Sequence, residues 1–298
     1  VLIADDGTVL QAPPPPDENQ EQVASALADR ANKARAAGQA GDATKLEDEL
    51  LSHHPGTEAA AIVFFARGRA AQSQGKTLEA VSYLEKLQFY RPHFFDIEQA
   101  RSVYAKLLFQ LERYEDAANM LGALYASATT PASLLEYGQL YIRTLRVIDR
   151  PGDALRTCVD LHSTDGMASG SKRVLGELAT ELVSSGLSFN EVAKLWKRYE
   201  NDARWRFIQP MLGFKLAKIY YHTRDYDQSG KLLASVIERF ADTEYGKRAA
   251  TFQSRLESRF KVNPTRIGVI LPLSGRFAQY GKQSLAAIQM AFKSRPDV

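Results

Sequence analysis

The feature that most constrains this chain is a repeat of about 37 residues. An acidic or amide residue followed by a small or apolar one recurs as Asp42-Ala43, Glu79-Ala80, Asp116-Ala117, Asp153-Ala154, Glu191-Val192 and Gln228-Ser229, in steps of 37, 37, 37, 38 and 37. A period of this size marks a solenoid built from stacked supersecondary units, none of which buries its apolar face alone. From about Glu18 to Phe260, alanine, leucine and aromatic residues recur at spacings of three and four, the helical period. Residues 18–260 therefore read as about six antiparallel helix pairs, an all-α fold.

Each marker opens the second helix of a pair, where an acidic residue complements the helix dipole. Gly41, Gly75 and Gly152 stand just before that helix, as do the aromatics Tyr114, Phe189 and Tyr226. Twelve residues before the small residue lie Ala31, Gly68, Ala105 and Ala217, positions where the first helix packs closely. The fourth and fifth units carry Ile142 and Thr180 there. Twelve residues after the small residue come Pro55 and Pro92, which stop the second helix. These residues resemble the tetratricopeptide repeat (TPR), with a period near 37 in place of about 34. The resemblance covers about 240 of the 298 residues and implies a TPR-like solenoid that binds other proteins.

The flanks read differently. Residues 1–17 form a leader: Val1 to Gln11 alternate weakly around an Asp6-Gly7 turn signal, and Pro13 to Pro16 favour a stiff extended segment. Composition shifts again at Asn263-Pro264-Thr265, so 261–298 reads as a linker and a truncated α/β segment. Within it, Arg266 to Leu271 has the continuous apolar pattern of a buried parallel strand, Pro272 to Gly275 turns, and Ala278 to Phe292 is helical. The run from Ile267 to Gly275, followed by Tyr280-Gly281, resembles the opening of type I periplasmic binding proteins, two-lobed receptors for amino acids and related ligands. The resemblance implies that Ser274, Gly275, Tyr280 and Gly281 line a ligand cleft, and that a small ligand binds only with the remainder of that domain. A helix N-terminus at such a loop favours a carboxylate.

Composition excludes several classes. A net charge of +3 over this length is too weak to argue for nucleic acid or an anionic membrane. The single cysteine, Cys158, permits no internal disulfide and no cysteine-based zinc site, and its apolar helical neighbours Leu155 and Leu161 mark a buried structural thiol. No apolar run reaches a membrane span. Because the chain opens at Val1 without an initiator Met, it reads as a fragment, and any export signal would lie upstream.

Catalytic signals are weak. Ser169-Gly-Ser-Lys172 matches the Ser-x-x-Lys pattern of penicillin-recognising enzymes, but its companion motifs are missing, and Ser171 reads as the cap of a helix starting near Lys172. The histidines, His53, His54, His93, His162 and His222, show no metal-ligand spacing. No Walker loop, GxGxxG or nucleophile elbow occurs. The expectation is a non-enzyme without cofactor or metal.

The segment from Trp196 to Phe207 gathers both tryptophans with four basic residues. Trp196 falls at a core position after Val192, whereas Arg204, Trp205 and Arg206 fall in a connection and read equally as packing residues or as candidate partner contacts, since aromatics and arginine favour hot spots. Helix pairs followed by a type I binding-protein segment resemble the LpoA family of penicillin-binding protein activators. That resemblance implies a periplasmic outer-membrane lipoprotein that stimulates a peptidoglycan synthase, touching the membrane only through an anchor outside this chain. A solute-binding receptor whose repeats dock a transporter or sensor is the alternative, and a scaffold for outer-membrane protein assembly is a third.

Overall fold

The computed structural model describes residues 2–3, 9–10, 14–94, 97–259 and 267–293. Two short strands, β1 (Leu2–Ile3) and β2 (Val9–Leu10), pair antiparallel with Leu2 opposite Leu10, in keeping with the weak alternation there. The helices follow as α1 (Glu18–Ala36), α2 (Ala40–His53), α3 (Glu58–Ser73), α4 (Thr77–Tyr90), α5 (Ile97–Gln110), α6 (Tyr114–Ser127), α7 (Pro131–Val147) and α8 (Pro151–His162). After these come α9 (Ser169–Glu181), α10 (Phe189–Arg198), α11 (Gln209–His222), α12 (Tyr226–Phe240), α13 (Glu244–Arg259) and α14 (Ala278–Lys293). The chain divides into two compact units, 1–215 and 216–298, with the division inside α11. The sequence places its boundary near residue 260, in a stretch outside the described residues.

In the first unit the helices pack as successive pairs, α1 on α2 and α3 on α4 through α7 on α8, each pair also touching the next. One apolar core runs through them from Leu27 past Leu84 and Leu108 to Tyr137. This is a TPR-like helical repeat. In the second unit α12 packs on α13.

The 37-residue register has a physical basis in these pairs. All six markers, Asp42, Glu79, Asp116, Asp153, Glu191 and Gln228, occupy the third position of the second helix. From there a carboxylate reaches back to the residue preceding the helix. Asp116 pairs with Arg113 at 2.8 Å, and Glu191 closes a capping box with Ser188. The small residue that follows is fully buried in every unit, from Ala43 to Ser229. Its partner on the first helix is equally close. A Cβ on Gly68 would lie 3.2 Å from Leu84, and the Ser229 hydroxyl donates to the Ala217 carbonyl at 2.9 Å.

The turns between paired helices repeat as well. Gly38, Gly75, Glu112, Asp149 and Arg224 adopt left-handed φ between 55° and 77°. Each ends its helix in a Schellman motif: in the third unit Arg113 N–H bonds to the Leu108 carbonyl at 2.9 Å, and Glu112 N–H to that of Phe109 at 3.2 Å. The residue that completes the motif also precedes the next helix, so one helix ends and the next begins without a linker. Only Gly75 of the three expected glycines stands in such a turn, because Gly41 and Gly152 lie inside the first turns of α2 and α8.

The fifth pair departs from this pattern. Thr180, aligned with the small positions, is exposed, and Ala179 is fully buried in its place. First-helix contacts thus fall at Ala31, Gly68, Ala105, Ile142, Ala179 and Ala217, and the single extra residue of the 38-residue step enters after Ala179. It enters as a π turn, Leu182–Gly186, which inserts one residue without ending the helix. The Lys215 ammonium donates to the carbonyls of Val183 at 2.6 Å, Ser184 at 3.3 Å and Leu187 at 3.1 Å, tying the π turn and the residue after it to α11. Burial lowers the Lys215 pKa.

At the end of the second unit, helix α14 forms where expected, but Ile267 to Leu271 form no strand. A parallel strand needs a neighbour for its ladder, and no described segment pairs with this one. Ile267, Val269 and Ile270 stay exposed. The α/β expectation for this segment is not met.

Candidate interaction groove

Helices α1 and α3 lie side by side, and between them runs a groove of about 860 Å³. Its floor is made of short side chains, Ala28 and Ala31 from α1 with Ala59, Ala66 and Ala70 from α3, because alanine at helical spacing lets the two helices expose a smooth apolar strip. Ile62 rises from this strip half exposed.

Two ion clusters close the groove. At one end Glu47 from α2 is almost buried and accepts hydrogen bonds from Arg35 of α1 and from Arg67 of α3, the latter through Nε at 3.2 Å and Nη2 at 3.0 Å. Arg67 also pairs with Asp48 at 2.6 Å. Burial works against the Arg67 charge, but its hydrogen bonds to Asp48 and Glu47 outweigh that and raise its pKa. At the other end Glu21 accepts the N–H of Glu58 at 3.0 Å, capping α3 from the neighbouring repeat, and pairs with Arg91 at 3.0 Å. Both cations that line the groove are therefore committed. The exposed carboxylates of Glu18, Asp29 and Glu58, also on its lining, make no ion pair among the described residues.

The partner-contact candidates sort differently. Trp205 is fully buried, stacked on Tyr199 with ring centroids 4.1 Å apart and planes 5° from parallel, so it is a packing residue and not a contact. Among the described residues its Nε1 has no hydrogen-bond partner. Arg204 is held by Asp202 at 2.6 Å and Asp160 at 2.9 Å, while Arg206 stays exposed. Burial raises the Asp160 pKa, and the Arg204 charge opposes that rise. Trp196 is buried on α10, as its spacing predicts.

Of the cleft candidates, Ser274, Gly275 and Tyr280 are exposed, whereas Gly281 is buried. Gly275 has φ of 72°, and a Cβ on Gly281 would lie 2.0 Å from the Pro272 carbonyl oxygen. Both glycines thus meet demands of the turn itself.

Ser169 begins α9 without a hydrogen bond to Lys172 among the described residues. Ala168 precedes that helix, so Ser171 sits in its first turn and does not cap it. Cys158 is fully buried, and burial pushes its thiol up to about 12. His162 stacks on Phe207 at 4.1 Å, with its pKa lowered by burial and by Lys172. Among the described residues no cluster of three or more His, Cys, Asp or Glu could hold a metal, and no helix is long and apolar enough to cross a membrane.

Sequence reading found the helix pairs but missed the groove. Of its alanines only Ala31 stands out in the sequence, as a packing position, and the two walls lie about 40 residues apart in the chain.

Comparison with family models and with curated proteins gives no match. Among solved structures the chain is similar to one titled as a functional characterization of Pseudomonas aeruginosa pilF, at 13% identity over 80% of this chain and 100% of that one, with a TM-score of 0.35. It is also similar to the TPR domain of P58(IPK), at 13% identity over 81% and 67% of the two chains, with a TM-score of 0.29. The TPR-like assignment rests on the helix pairs themselves.

Proposed function

We propose that this chain is a protein-binding scaffold, without catalysis of its own, that works in the periplasm tethered to the outer membrane and activates a peptidoglycan synthase. The observation that carries the scaffold reading is the long groove between α1 and α3, open to solvent, with a smooth apolar floor and charged walls. Such a trough suits an extended protein segment better than a small molecule, which needs most of its surface enclosed. The peptidoglycan assignment is supported by the order of the chain, helix pairs and then the Ile267-to-Gly281 run that resembles type I binding proteins.

The test is direct. A purified bifunctional penicillin-binding protein should be retained by the immobilised chain or by the intact protein, and the intact protein should stimulate its glycan polymerisation. Ala66→Trp, which fills the groove from an exposed position, should abolish retention by the chain. Failure of the intact protein to bind or stimulate any peptidoglycan synthase would end the activator reading. Hydrolysis of peptidoglycan or a β-lactam by the chain, lost in Ser169→Ala, would end the scaffold reading.

A further inference from the structure

We infer that the α1–α3 groove selects an extended segment carrying lysine or arginine side chains, an inference that rests on the scaffold reading above. The charges that line the groove are unequal in what they have left to offer. Arg35 and Arg67 are consumed by Glu47 and Asp48, and Glu47 has both oxygens occupied. Glu21 is consumed by Arg91 and by the backbone of α3. Glu18, Asp29 and Glu58 remain, three solvent-facing carboxylates of one sign, on both walls of the trough. First-turn positions on α1 and α3 offset part of the charge of Glu18 and Glu58 through the helix dipoles. Asp29, in the middle of α1, has no such offset.

Dimensions set the length of the occupant. From Glu18 to Arg35, α1 rises about 25 Å, the length of about seven or eight residues of extended chain. The alanine floor admits a backbone and short side chains close to it, and Ile62 offers one apolar contact. Alternate side chains of an extended segment would then point up toward Glu18, Asp29 and Glu58. An anionic segment would face these carboxylates with no uncommitted cation to meet it.

The experiment uses the full chain and two fluorescein-labelled octapeptides, Lys-Ala repeated four times and Glu-Ala repeated four times, titrated by fluorescence anisotropy. The cationic peptide should bind at least about ten-fold more tightly than the anionic one at low ionic strength, and the difference should shrink with added salt. The triple variant Glu18→Gln, Asp29→Asn, Glu58→Gln should lose about ten-fold in affinity for the cationic peptide while still unfolding cooperatively within a few degrees of the parent, since all three side chains are exposed and only the dipole contributions of Glu18 and Glu58 are lost. Ala66→Trp should lose binding altogether. Equal affinity for both peptides, no binding of either, or a triple variant that binds as well as the parent would each overturn the inference. If neither peptide binds while a penicillin-binding protein is still retained in a groove-dependent way, the charge inference fails and the scaffold reading stands. If the cationic peptide binds and no synthase is retained, the charge inference and the scaffold reading stand and the activator reading fails.

Discussion

From α1 to α8, each helix pair closes through a residue of left-handed φ placed one position before the residue that leads the second helix. The pair α9 and α10 closes instead through a π turn, with Leu187 at an ordinary φ of −87°. Both regions bury the close-contact residue of the first helix, Ala31, Gly68, Ala105, Ile142 or Ala179, and the residue that follows the marker on the second. In the first region the register is met at every unit and the turn can be minimal. In the fifth pair one extra residue would rotate everything after it by about 100°, since an α-helix has 3.6 residues per turn. The π turn absorbs that rotation before α10 begins. Its carbonyls need partners outside the helix, and Lys215 bonds to two in the turn, those of Val183 and Ser184, and to that of Leu187 just after it. A repeat protein can therefore tolerate an insertion inside a helix, provided a distant side chain completes the backbone hydrogen bonds.

The largest test of this contrast is a bulky residue at the contact positions. Ala117→Phe and Ala179→Phe should each cost about 1 to 3 kcal/mol by overpacking, measured by urea unfolding. Thr180→Phe should stay within about 0.5 kcal/mol, because that side chain is exposed. Equal losses at Ala179 and Thr180 would return the fifth pair to the register read from sequence.

Next in size is Lys215→Met, which keeps the apolar stem but removes the donor. It should cost about 1 to 2 kcal/mol and speed hydrogen exchange around the π turn. Lys106→Met, which removes a surface pair with Glu136 in the regular region, should cost less than about 1 kcal/mol.

A pH dependence follows from the tight packing of the regular region. The Cys158 thiol rises from an ordinary value of 9.0 to about 12, so it stays protonated in the folded chain after it has ionised in the unfolded one. Its contribution is complete below pH 9 and falls by about 1.4 kcal/mol per unit from there toward pH 12. Tyr125, raised to about 12 by burial, adds to the decline above pH 10. Cys158→Val should flatten the loss of stability between pH 8 and 10 in urea titrations.

The smallest effect concerns the turns. Glu112 and Asp149 hold a conformation that favours glycine, so Glu112→Gly and Asp149→Gly should stabilise by about 0.5 kcal/mol, the glutamate site gaining more. Gly75→Ala should destabilise by about 1 kcal/mol, although its Cβ would meet nothing within 4 Å.

The sequence made the helix pairs legible because its markers sit at one mechanical position, the third residue of the second helix, where capping and close packing coincide. The π turn was hidden. A 38-residue step between Asp153 and Glu191 says that one residue was added but not where, and Thr180 was read at the position that belongs to Ala179. Trp205 was equally opaque, since a tryptophan between two arginines looks like a surface contact until the stack with Tyr199 encloses it. The groove could not be read because it depends on which carboxylates are left over after Arg35, Arg67 and Arg91 have chosen partners. That allocation is made in space and not along the chain.

The shared residue between paired helices, which completes one Schellman motif and leads the next helix, also bears on how the chain is made. Nearly all contacts in the first four pairs join helices adjacent in sequence, with the α1–α3 groove spanning only one intervening helix. A chain of such low contact order folds quickly and needs no distant partner to begin. As it leaves the ribosome or a translocation pore, α1 and α2 can pair before α5 has emerged, with the fused turn holding the second helix in line from its first residue. The cationic-peptide groove would then be complete once α1–α4 are out, long before the residues of the second unit exist.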